Sequence, residues 1–101
     1  MMKLEAYVAG FRGAITDQDL GGKTIRMDID GVGCIHISGT TVSTEKATAD
    51  CILTTTHNVY DRMYSGVLDP TIAFGKGDLK LVGDMSLALK MPSLFARASN
   101  Q

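Results

Sequence analysis

The feature that most constrains this chain is a strict alternation centred on one turn. From Lys23 to Asp30, Ile25, Met27 and Ile29 point one way, while Thr24, Arg26, Asp28 and Asp30 point the other. A period of two residues is a strand with one apolar and one wet face. Asp30-Gly31-Val32-Gly33 then supplies turn chemistry, Asp-Gly being a strong hairpin signal. Cys34 to Ser38 returns as a second strand, with Ile35 and Ile37 opposed to Cys34, His36 and Ser38. Such a hairpin cannot stand alone in water. The rest of the chain must widen the sheet and cover its apolar face.

It does so in a readable order. Leu4, Val8, Phe11 and Ile15 recur at steps of four, three and four, one face of a helix. Thr16, Asp17 and Gly21-Gly22 end it. After the hairpin comes a polar loop from Gly39 to Lys46, then a third strand from Ala49 to Thr55 with Cys51 and Leu53 on one face. Thr56 caps a helix carrying Val59, Tyr60, Met63, Tyr64 and Val67, which Gly66 stops. Asp69-Pro70 opens a short helix with Ile72, Ala73 and Phe74, closed by Gly75 and Gly77. Asp78 to Gly83 is a fourth strand on Leu79, Leu81 and Val82. Asp84 caps a last helix with Met85, Leu87, Ala88, Leu89 and Met91, which Pro92 interrupts before an apolar turn at Leu94, Phe95 and Ala98. Strands grouped ahead of helices predict an α+β fold with a mainly antiparallel sheet.

Composition narrows the function classes. The 101 residues are 45% apolar, enough for one domain over residues 1–101 with its own core. Ten basic residues against eleven acidic ones give a net charge of -1, so no basic excess draws in nucleic acid or an anionic membrane. No apolar run is long enough for stable membrane insertion. The start of the chain carries Glu5 and no long apolar core, which argues against a secretory signal. Cys34 and Cys51 read as reduced core thiols, consistent with the cytoplasm.

Motifs for catalysis are weak. Gly22-Lys23-Thr24 mimics the tail of a phosphate-binding loop, but Asp17 stands where glycine is needed and a strand follows instead of a helix. Gly31-Val32-Gly33 lacks the third glycine of a dinucleotide fingerprint. His36 is expected to form a solvent-facing pair with Asp28, His57 to lie at the surface, and Asp28 with Asp30 to be a solvated acidic edge. The two histidines and two cysteines fall into no metal-ligand spacing. No catalytic residue, metal or cofactor is therefore expected.

The informative residues are greasy ones in the second half: Met63, Val67, Leu68, Ile72, Phe74, Met85, Leu87, Leu89, Met91, Leu94 and Phe95. Leu87 and Leu89 flank Ala88, so the last helix is apolar over more than one face. Periodicity alone leaves three readings of that breadth: plain core, the wall of a ligand cavity, or an interface with a second copy.

Several short stretches coincide in order and spacing with a known family. They are Ala49-Asp50-Cys51-Ile52-Leu53-Thr54, Met63-Tyr64-Ser65-Gly66-Val67-Leu68-Asp69-Pro70, Ala73-Phe74, Gly77-Asp78-Leu79-Lys80-Leu81-Val82-Gly83-Asp84-Met85 and Leu87-Ala88-Leu89-Lys90-Met91. Over about residues 23 to 95 the chain resembles the sterol carrier protein type 2 domain, with Val67 for the family's usual Lys and Asp69 for its usual Asn. The resemblance implies a mainly antiparallel five-stranded sheet with helices on one face, its fifth strand lying in Gly39 to Thr48 or at a chain end. It implies a non-catalytic carrier holding a hydrophobic small molecule or lipid (sterol, fatty acid, acyl-CoA or phospholipid) in an apolar tunnel. Carried over by position, the tunnel walls are Met63 to Leu68, the helix with Ile72 and Phe74, and Met85 to Phe95. The second expectation is an accessory module of lipid or quinone metabolism that uses the same face for homodimerisation or partner binding.

Overall fold

The alternating segments assemble into one sheet. In the computed structural model, which describes residues 1–100, β1 (Thr24–Asp30), β2 (Gly33–Ser38), β3 (Thr41–Ser43), β4 (Cys51–Thr56) and β5 (Leu79–Gly83) lie in the order β3-β2-β1-β4-β5. Neighbours are antiparallel except β1 and β4, which run parallel. The fifth strand is β3, inside the stretch read as a polar loop. It spans three residues with Val42 alone buried, too short for alternation to register. Register puts Ile35, Met27, Leu53 and Leu81 side by side across four strands of the inner face.

The outer face of the hairpin is strapped by the connection from β3 to β4. Arg26 Nη1 donates to the Ala47 carbonyl (2.9 Å), His36 Nε2 to the Thr48 carbonyl (3.0 Å) and Cys34 Sγ to the Thr44 carbonyl (3.4 Å). The expected His36–Asp28 pair does not form. Antiparallel register sets His36 opposite Arg26 and Asp28 opposite Cys34, and Asp28 pairs instead with Arg26 at 2.9 Å. Cys34 and Cys51 are free and buried, and burial pushes the Cys51 thiol up to about 11.

Five helices cover the inner face: α1 (Leu4–Ala14), α2 (His57–Tyr64), α3 (Pro70–Gly75), α4 (Met85–Ala88) and α5 (Met91–Ser99). Three caps lie where the sequence placed them. Thr56 Oγ1 accepts from the Val59 amide (3.3 Å), Asp69 Oδ1 from that of Thr71 (2.8 Å) and Asp84 Oδ1 from that of Ser86 (2.9 Å). Pro92 does not merely interrupt a helix. It sits in the first turn of α5, where its missing N–H is no loss, and starts a new nine-residue helix.

At one end of the molecule α1, α2 and α5 bring five rings together. Tyr7 lies edge-on to Tyr60 (4.9 Å between centroids) and Tyr64 (4.8 Å), and Phe95 meets Phe11, Tyr60 and Tyr64 at 5.9, 5.7 and 6.1 Å. Gly10 lets α1 close on this cluster. A Cβ there would overlap the Tyr64 hydroxyl and come within 2.8 Å of the Ala98 carbonyl.

Two predictions follow from this packing. Gly10→Ala should destabilise the protein by about 1–3 kcal/mol despite its better helix propensity, because the overlap is with buried groups. Gly75→Ala, with open space around it, should be neutral or slightly stabilising; the urea midpoints of both variants are the measurement. The second concerns Asp84, which pairs with Lys23 and caps α4. The hydrogen bond from Lys23, then those from Ser86, lower its carboxyl from 3.8 to about 2. A depressed pKa stabilises the fold above the ordinary value and loses that contribution as pH falls through the folded one. Asp84→Asn should therefore melt lower than the parent near neutrality, and the gap should close between pH 3.8 and about 2.

Candidate functional site

At the aromatic end the rings pack against one another, with a hollow on their outer side at Ala6, Gly10, Tyr64 and Ala98; the other end is more sparsely covered. There α3 and α4 have only six and four residues, and their side chains do not fill the space above β4 and β5. A cavity of about 380 Å³ lies between them. The sheet contributes Leu53, Leu79 and Leu81 to its wall, α3 contributes Pro70, Thr71 and Phe74, and α4 contributes Met85, Ser86 and Ala88, with Leu89 and Met91 completing it. The size falls in the range of small-molecule sites, and so does an apolar wall with few polar groups. Those groups are two hydroxyls, Thr71 and Ser86. No charged side chain lines the cavity.

The structure divides the eleven greasy residues into three sets. Phe74, Met85, Leu89 and Met91 line the cavity. Met63, Leu68, Leu87, Leu94 and Phe95 are buried in the core, and Val67 and Ile72 are exposed. Leu87 and Leu89 show the reason. Two residues apart on a helix they diverge by about 200°, so one is 1% exposed and the other 74%. Several lining residues were not singled out by the sequence. Leu53, Leu79 and Leu81 read as ordinary strand core and Pro70 as the opening of a helix, Thr71 drew no reading, and Ser86 and Ala88 fell inside the Met85 to Phe95 wall without being named as lining it. For α3 the available signal was the closeness of the Asp69 cap to Gly75; α4 gave none, since the helix expected to run on to Met91 ends at Ala88.

A second cluster lies outside the cavity. Tyr7 donates to Asp61 Oδ1 at 2.5 Å, and its hydroxyl is 3.2 Å from His57 Nε2. His57 Nε2 also meets the Met2 carbonyl at 3.0 Å, which requires a proton on that nitrogen. His57, expected at the surface, is half-buried and ties the start of α1 to α2. Burial, then Asp61, hold the Tyr7 phenol far above its ordinary value, so it stays neutral. This arrangement offers no exposed base or nucleophile and acts as a clamp. Among the described residues no three His, Cys, Asp or Glu side chains group to hold a metal, and no helix is long and apolar enough to cross a membrane.

Comparison with known proteins agrees with the fold. The chain is 44% identical to hydroxysteroid dehydrogenase-like protein 2 of Homo sapiens over 47 residues, which are 46% of this chain and 11% of that protein. The chain thus spans about a tenth of the length of the curated relatives it matches. The solution structure of palmitated SCP2L2 from Aedes aegypti aligns with a TM-score of 0.70 at 19% identity, over 93% of this chain and 95% of that one. The UbiJ-SCP2 ubiquinone synthesis protein aligns with a TM-score of 0.64 at 20% identity, over 89% of this chain and 78% of that one. At such identities these structures speak for the fold alone. Residues 14–96, from the end of α1 into α5, match the SCP-2 sterol transfer family, and the chain belongs to that family of lipid-binding carrier folds.

Proposed function

We propose that the chain is one carrier domain that shelters a hydrophobic molecule in the cavity between β4, β5, α3 and α4 and does no chemistry on it. The observation that carries the reading is the wall itself, eleven residues with two hydroxyls and no charge. Phe74, Met85, Leu89 and Met91 would touch the guest. Met63, Leu68, Leu87, Leu94 and Phe95 would hold the core rather than the guest, and Val67 and Ile72 would stand outside the wall. Apolar burial contributes ~25 cal/mol per Å², so a few hundred Å² of guest surface supplies several kcal/mol. An acyl chain, an acyl-CoA, a phospholipid or a sterol-like ring system has that chemistry. A wall without acid, base or thiol supports a non-catalytic role. Two buried free cysteines fit a reducing compartment, and we place the carrier in the cytoplasm.

Titration of delipidated protein with a fluorescent fatty acid, paired with native mass spectrometry, should show saturable binding of one guest. If both methods show none, the carrier reading is wrong. Ala88→Phe, which fills the cavity from α4, should weaken binding about tenfold or more with an unchanged circular dichroism spectrum, a loss near 1.4 kcal/mol.

A second reading is favoured by one observation. Val67, Ile72 and Leu89 are 72%, 52% and 74% exposed, an apolar surface that another chain would cover. The chain would then be an accessory module of lipid or quinone metabolism; one fold neighbour is a ubiquinone synthesis protein. Sizing chromatography at two concentrations discriminates. Dimerisation abolished by Leu89→Asp would support this reading, whereas dimerisation unchanged in that variant, or none in the parent, removes this face as a self-interface.

A further inference from the structure

We infer that the hollow on the outer side of the ring cluster is a second binding site, and that it takes a neutral apolar molecule whose carbonyl or ether oxygen is held by the Tyr64 hydroxyl. The site lies between three helices. α1 gives it Ala6, Ala9 and Gly10, the end of α2 gives Tyr64 and Ser65, and the end of α5 gives Ala98 and Ser99. It shares no lining residue with the cavity over β4 and β5, and no charged side chain lines it. The space exists because of what α1 lacks. Ala6 and Ala9 carry one side-chain carbon each and Gly10 carries none.

The observation that points to a guest is one unspent donor. Tyr7, Tyr60 and Tyr64 are all buried, at 0%, 1% and 2% exposure. Tyr7 donates to Asp61, and Tyr60 to the Met27 sulfur at 3.5 Å. The Tyr64 hydroxyl has no hydrogen-bond partner among the described residues, and burial alone pushes its phenol up. Among those residues every side-chain nitrogen or oxygen that is wholly enclosed does have a partner. The Tyr64 hydroxyl is therefore not enclosed. It lies against Gly10, at the place a Cβ there would occupy, and opens on to the hollow that both residues line. An apolar guest that covered it without an acceptor would strand the proton, which costs more than the bond is worth when made.

The other polar groups in the wall leave this one to orient the guest. Ser65 Oγ donates to the Arg62 carbonyl and Ser99 Oγ to the Ala96 carbonyl, each at 3.3 Å and within its own helix. Tyr64 with Ser65, and Ala98 with Ser99, are the last turns of α2 and α5. A helix is electronegative there, so an anion is disfavoured. An ammonium ion offers the phenol proton no acceptor. A neutral oxygen on an apolar body satisfies both conditions, with burial of the body supplying the driving force.

Amide chemical shifts of the 15N-labelled protein test this, with acetophenone as the probe. It should move the amides of Ala6, Gly10, Ser65 and Ser99 saturably, in the parent and equally in Ala88→Phe, whose other cavity is filled. Tyr64→Phe keeps the ring and removes the hydroxyl. It should weaken acetophenone about fivefold, the worth of one neutral hydrogen bond, while isopropylbenzene, of like shape without the oxygen, binds no more weakly than before. Ala9→Trp, at an exposed position of α1, should abolish both titrations at these amides and leave binding of the fluorescent fatty acid as it was. Benzoate should leave the four amides in place. The inference is overturned by the absence of a saturable shift up to the solubility of acetophenone, by an acetophenone affinity unchanged in Tyr64→Phe, by binding that persists in Ala9→Trp, or by benzoate binding as tightly as acetophenone. None of these outcomes touches the carrier reading, which the fatty-acid titration decides.

Discussion

The allocation of aromatic rings decides the shape of this molecule. The chain has three tyrosines, three phenylalanines and no tryptophan. Tyr7, Phe11, Tyr60, Tyr64 and Phe95 all meet where α1, α2 and α5 cross the sheet. Rings bury about 150–250 Å² each and lock one another edge to face, and all five are buried. One ring, Phe74, is left for the other end, where it shares the space with leucine, methionine, proline and alanine. The ring-packed core and the hollow over β4 and β5 are two consequences of one distribution. Gly10 belongs to the same arrangement, since the approach of α1 that seals the aromatic end depends on its missing side chain.

The hollow end is framed by helices that cannot form unaided. Six and four residues are far below the length at which a helix persists in water. Each is held by an aspartate at its start, and α4 gains a further tie through the Lys23–Asp84 pair to the foot of β1. The same two carboxylates stand where the cavity meets its polar groups.

Much of this was legible in residue order. The hairpin, the caps at Thr56, Asp69 and Asp84, and the α+β grouping rest on local periodicity and turn chemistry, and local signals survive folding. What escaped was set by register or by shortness. The pairing of Asp28 with Arg26 instead of His36 depends on which residues face each other across β1 and β2, and alternation does not encode that. β3 has one buried residue, too little to read as a strand. Pro92 marks a helix boundary under either assignment, and only the neighbouring Met91–Ser99 geometry makes it a start. For the site, hydrophobicity named the right segments but not which residues line the cavity, because Leu87 in the core and Leu89 at the opening carry the same side chain.

A cavity of this size places its own demand on the fold. Apolar void sealed inside a core costs about 24 cal/mol per Å³, so about 380 Å³ closed and empty would amount to roughly 9 kcal/mol. That is comparable to the whole stability of a small domain, about 5–15 kcal/mol. The space is therefore sustainable only if it communicates with solvent or is filled. Its wall bears out the first condition: Phe74, Met85 and Leu89 are all partly exposed while they line it. Open access spares the empty state the cost of a sealed void, and it leaves large apolar side chains in contact with water. A guest that covered them would remove that contact, so the arrangement that lets the fold exist empty would also favour its occupation.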